Sequence, residues 1–227
     1  MAIYTNVRKK LYTLGAVFAV IAGPVAGARA QESATASPTN NNREQPIEQP
    51  AFSRHSLGSS LFVLMNLAPL AEPPSFYQLN YNYRANDKEV FSLEAITWKY
   101  YAPLGIPYGA WGKPEYNYPG SVRSHGIGLV YKRFLWKGVY GAFHALPLRQ
   151  TYSDENNDKI QTGLQLFLTL RAGYHFAFFK DRFFIEPSIA MTAWPINTNL
   201  PAAFAAQEKQ WPSYFLAEPG MHFGVNF

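Results

Sequence analysis

The stretch "TGLQLFLTLRAGYHFAFF", Thr162 to Phe179, alternates its side chains for longer than an ordinary soluble strand does. Leu164, Leu166, Leu168, Leu170, Ala172, Tyr174, Phe176 and Phe178 fall on one face of an extended chain. Gly163, Gln165, Thr169, Arg171, Gly173 and His175 fall on the other, with Phe167 and Phe179 as exceptions. A strand this long with one apolar face can cross a bilayer only inside a closed sheet, because lipid offers no partner to an open edge.

Seven further segments alternate in the same way, at about 56–66, 75–84, 89–101, 124–134, 138–148, 182–194 and 215–227. With 162–178 they make eight, an even number that suits antiparallel closure. The connections alternate in length as well. "ANDK", "LWKG" and "FKDR" are tight, whereas "APLAEPPS", "PLGIPYGAWGKPEYNYPGSVR", "RQTYSDENNDKIQ" and "INTNLPAAFAAQEKQWPSY" are longer. The pattern predicts an all-β fold: an eight-stranded antiparallel transmembrane β-barrel with short periplasmic turns and four longer extracellular loops. A soluble lipocalin-like ligand-binding barrel alternates too, with its apolar face inward. Gly126, Gly128, Gly163, Gly173, Gly220 and Gly224 favour the membrane reading, since they sit on the polar faces where a narrow interior needs small residues. Aromatics near strand ends fit interfacial girdles: Phe134, Trp136, Phe178, Phe183 and Phe227 at one rim, and Tyr100, Trp194, Tyr214 and Phe215 at the other.

Residues 1–30 have the order of a secretory signal peptide, with Arg8, Lys9 and Lys10 before an apolar run and Ala28-Arg29-Ala30 at the cleavage position. Residues 31–54 are polar and lack an apolar period, so they read as a disordered periplasmic leader, and 55–227 as the barrel domain. The chain has no cysteine, hence no disulfides. Arg8, Lys9, Lys10 and Arg29 account for all but one unit of the formal +5 charge. A nucleic-acid partner therefore has no electrostatic support.

These segments resemble, in pattern rather than residue identity, the small eight-stranded outer-membrane barrels of Gram-negative bacteria, the superfamily of the outer membrane protein A membrane domain. The final "MHFGVNF" is similar to that family's closing strand, in which alternating apolar residues and a terminal Phe are read by the barrel assembly machinery. Met221, Phe223, Val225 and Phe227 are the matching positions. The resemblance implies a cell outer membrane location, with outer-membrane lipid and lipopolysaccharide as surroundings.

Function must come from lumen and loops. The inward face is expected to carry a polar network of Glu94, Lys132, Arg171, His175, Glu186, Ser188, Glu218 and His222. Counting from the turns puts His175, Glu186, Ser188 and His222 in one layer, and Arg171, Thr192 and Glu218 in the next. Crossed ion pairs plugging the lumen are one reading. A nucleophilic Ser188 with a histidine base, as in a lipid A-modifying hydrolase, is the other. The His-x-Ser signature of such deacylases is absent from the chain. No metal-ligand spacing or phosphate-binding glycine loop occurs, so no cofactor is expected. Tyr108, Trp111, Tyr116, Tyr118 and Trp211 make two loops aromatic, fit either for an extracellular ligand or for a lid over the barrel mouth. The sequence reading is a non-enzymatic envelope protein, with a narrow pore as a further possibility.

Overall fold

The computed structural model of the protein describes residues 53–69, 73–107, 110 and 112–227. The signal segment and nearly all of the leader lie outside them. Nine strand segments run in chain order: β1 (His55–Ser60), β2 (Tyr77–Arg84), β3 (Glu89–Tyr100), β4 (Ser121–Trp136), β5 (Val139–Ser153), β6 (Lys159–Tyr174), β7 (Phe176–Phe178), β8 (Phe183–Asn197) and β9 (Tyr214–Asn226). β7 continues β6 after a break at His175 and keeps its register on β8, with Gly173 opposite Ser188 and Phe176 opposite Ile185. Eight antiparallel strands therefore close into a ring, each paired with its chain neighbour and β1 paired with β9.

Two boundaries differ from those the alternation predicts. The first strand stops at Ser60, and Leu61–Leu67 form a 3-10 helix. The run LFVLMNL is apolar on successive residues and lacks the polar face a strand needs to line this lumen. The Ser60 hydroxyl caps it by accepting from the Phe62 N–H at 3.2 Å. The third expected loop is only a tight connection, 154–158, because β5 and β6 pair from Val139–Tyr174 as far as Ser153–Lys159. Arg149 and Thr151 point outward there, and polar residues on the outer face make a strand read as a loop. Asp154 closes the turn by accepting from the backbone N–H groups of Asn156 and Asp158, both at 2.9 Å.

The outer wall is apolar. On β4, between Arg123 and Arg133, the outward residues are His125, Ile127, Leu129 and Tyr131, and Ile127 and Leu129 are both 66% exposed. Ten residues give ~33 Å of strand, or ~25 Å of height at the usual barrel tilt, the height of a membrane-facing band. Trp136, Phe178, Phe183, Tyr214 and Phe227 are exposed near the rims. Phe134, Tyr100 and Trp194 turn inward instead, because they alternate with the outward face of their strands.

The inside is filled in tiers. Near the turns it is polar. At the loop end Phe76, Trp98, Leu146 and Leu148 form a buried apolar cluster, with Phe167 packed against it. Glycine is required where large groups cross this narrow space. A Cβ on Gly220 would fall on the Arg171 guanidinium, and one on Gly224 on the Phe184 ring.

Candidate functional site

Glu94, Lys132, Arg171, His175, Glu186, Ser188, Glu218 and His222 all alternate onto the inner wall. Lys132 on β4 donates to both Glu186 oxygens on β8, at 2.6 and 2.7 Å, and its ammonium also lies 4.7 Å from the Tyr140 ring centre. The His175 ring, in the gap between β6 and β7, meets the same carboxylate through Nδ1 at 2.8 Å. Glu186 is thus a buried acceptor shared by two basic groups, which offsets the cost of removing its charge from water.

The next tier is built on Arg171. Its Nη1 donates to the Ser188 hydroxyl at 2.9 Å, and its Nη2 lies 3.5 Å from the Glu218 carboxylate. Thr192 donates to Glu218 at 2.8 Å and shares a 2.9 Å hydrogen bond with Thr169. Glu94 and His144 form a third pair at 3.1 Å. Sequence counting placed Ser188 with the two histidines, yet it belongs to the Arg171 tier, because the side chain of Arg171 reaches toward the turn end and engages it. Ser188 donates to the Gly220 carbonyl at 3.2 Å. That leaves the hydroxyl aimed at a backbone oxygen rather than at a base. His222 lines the small cavity between the tiers, about 30 Å³. Such a space holds a water or two but no substrate. Among the described residues no group of His, Asp and Glu comes together to hold a metal ion.

At the loop end, helix α1 (Ala202–Glu208) closes the mouth. Phe204 is buried, stacked on Tyr118 at 4.7 Å and edge-on to Tyr152 at 5.6 Å. Glu208 accepts from the Tyr118 hydroxyl at 2.6 Å and from the Trp194 indole N–H at 3.0 Å. Burial and then the Glu208 charge hold the Tyr118 hydroxyl far above the usual tyrosine range. Beneath the lid, Gln150 donates to Tyr100 at 2.7 Å and to Gln165 at 3.1 Å, and Tyr152 donates to Gln150 at 2.7 Å.

Of the aromatic loop residues, Tyr118 lies under the lid rather than on the surface, since its ring has Phe204 to pack on and its hydroxyl has an acceptor. Tyr116 and Trp211 meet edge to face at 4.9 Å. Tyr108 and Trp111 lie outside the described residues. Met221, Phe223, Val225 and Phe227 share the outer face of the last strand and its end. Sequence reasoning gave a lid as one of two readings of these loops and missed the helix that forms it. Its signal was present in Pro201 followed by AAFAAQE, a helix start and strong helix formers within a loop.

No protein-family model matches the chain. No curated protein matches it either. Among solved structures it is similar to Ail, the attachment invasion locus protein of Yersinia pestis, in complex with the heparin analogue sucrose octasulfate. The two are 12% identical over 76% of this chain and 94% of that one, with a TM-score of 0.38.

Proposed function

We propose that the chain is a non-enzymatic outer-membrane barrel of the cell envelope, closed to solutes and presenting a capped loop end to the outside. The observation that carries this reading is the inversion of the usual protein pattern: apolar residues cover the outer wall while ion pairs fill one end of the interior. Exposed Ile127, Leu129, Leu93 and Leu164 would form a large apolar patch in water but match hydrocarbon. The export segment read at residues 1–30 fits the same address, with the tight turns in the periplasm and the lid outside.

The ion-paired tiers and the small space between them, about 30 Å³, support a structural or surface role over a pore or an enzyme. Cell fractionation followed by gel mobility with and without heating tests the location: the folded barrel should sit in the outer-membrane fraction and shift on boiling. Conductance in planar bilayers tests closure, and steady channels of the wild-type barrel would overturn it.

A further inference from the structure

Four basic side chains occupy one block of the outer wall at its loop end. Lys99 on β3 is directly opposite Arg123 on β4, and His125 on β4 is directly opposite Arg149 on β5. Opposite residues of an antiparallel pair face one another at about 5 Å, so the Lys99–Arg123 rung sets cation against cation, an arrangement that works against the fold unless an anion is shared, and the His125–Arg149 rung sets an imidazole beside a guanidinium. Arg123 and His125 are next to each other on the same face of β4, ~7 Å apart. The block is therefore about two strand spacings wide, ~10 Å.

None of the four forms a salt bridge among the described residues, although the turn that Lys99 touches also carries Asp154, Glu155 and Asp158. Lys99 donates to the neutral Asn157 amide at 2.9 Å and sits over the Tyr101 ring. Across the barrel at this end, the outward positions of β2, β8 and β9 include Tyr77, Leu79, Ile196, Tyr214 and Leu216, with no cation among them. The charge is one-sided.

What lies toward the turn end identifies the ligand. Ile127 and Leu129 follow His125 along β4, and Leu164 is opposite Arg149 on β6. A soluble polyanion needs no apolar wall beside its charges, whereas a lipid needs a polar anchor immediately above a surface for its chains. Guanidinium groups in pairs are the side chains best suited to phosphate oxygens.

We infer that Lys99, Arg123, His125 and Arg149 bind the phosphorylated headgroup of an outer-leaflet glycolipid, whose acyl chains run over Ile127, Leu129 and Leu164. This rests on the membrane reading above and deepens it by fixing which wall meets which lipid.

The test uses the full barrel folded in detergent, with bisphosphorylated lipid A, the same lipid after phosphatase treatment, and inorganic pyrophosphate as probes. Native mass spectrometry reads retained lipid, and melting temperature reads binding. Wild type should retain and be stabilised by the phosphorylated lipid alone. Arg123→Ser with Arg149→Ser should weaken binding about tenfold or more, while Lys180→Ser at the turn end leaves it unchanged. Because removing like charges should not unfold the barrel, heat-modifiable mobility confirms that the variant is folded, and Arg149→Gln alone gives a milder version. Equal binding of dephosphorylated lipid, equal binding by the double variant, or equal stabilisation by pyrophosphate would each overturn the site. A barrel that stays folded in water without detergent would instead overturn the membrane reading beneath it.

Discussion

Lys132 and Glu186 stand on strands separated by two others, yet their side chains meet across the lumen at 2.6 Å, with the carboxylate also holding His175. Removing the cation leaves a buried acid short of a partner. Lys132→Ala should destabilise the folded barrel by roughly 3–5 kcal/mol. Ser188→Ala, which takes one hydroxyl from Arg171, should cost about 1–3 kcal/mol. Urea unfolding in lipid vesicles compares the two, and a larger loss at Ser188 would contradict the plug.

The apolar wall predicts sensitivity by height. Leu129→Arg, near the middle of the band on β4, should cost roughly 2–4 kcal/mol in a bilayer, and Leu135→Arg near the turns about 0–1 kcal/mol. The same unfolding measurement applies. Equal, negligible costs would mean that water, not lipid, surrounds this face.

The lid should come loose without taking the barrel with it. Glu208→Ala strands two buried donors, the Tyr118 hydroxyl and the Trp194 indole, at about 1–3 kcal/mol each. We expect faster protease cleavage in the segment around α1 and a red-shifted tryptophan emission, at a nearly unchanged barrel melting temperature. A protected segment in this variant would show that α1 is held by something else.

The lid also carries a pH dependence. Tyr118 has its pKa raised in the folded state, so that state holds the proton more tightly than the unfolded one. Its contribution is complete below the ordinary tyrosine value of about 10 and is lost as pH rises above it. Protease protection of the lid should be flat in pH up to about 10 and fall beyond. Tyr118→Phe should remove that fall, which separates this group from general alkaline unfolding.

The ring of eight strands was legible because a narrow cylinder forces strict alternation, and β6 displays it almost without exception. Legibility failed where that rule relaxes. Arg149 and Thr151 hid the end of β5, since above the lipid band outward residues need not be apolar. Leu146, Leu148 and Trp98 hid an apolar tier of the lumen: Ala145 and Pro147 leave that part of β5 apolar on both faces, and Trp98 between Thr97 and Lys99 alternates as a lipid-facing residue would. The plug's members were readable by parity alone, whereas their pairing was not: Arg171 is long enough to engage Ser188 and Glu218, and residue counting has no term for side-chain reach. A lid was one of two readings of the loops, but its helix and its contacts were not legible, because they join Tyr118, Trp194 and Glu208, which the chain keeps far apart.

The shortness of β1 has a kinetic meaning. It holds β9 only from His55–Phe227, which exchange backbone hydrogen bonds, to Ser60–His222, whereas β5 and β6 zip along their full length. The cylinder therefore has a seam, and the seam joins the first strand to the last. Beyond Met221 toward Tyr214, β9 has the 3-10 turn beside it but no ladder from β1. Closure there must wait until both ends of the chain are present, and it secures few hydrogen bonds when it comes. Unfolding should start at the same line, so amide exchange ought to be fastest along β1 and the facing edge of β9, with the β4–β5–β6 sheet peeling away last.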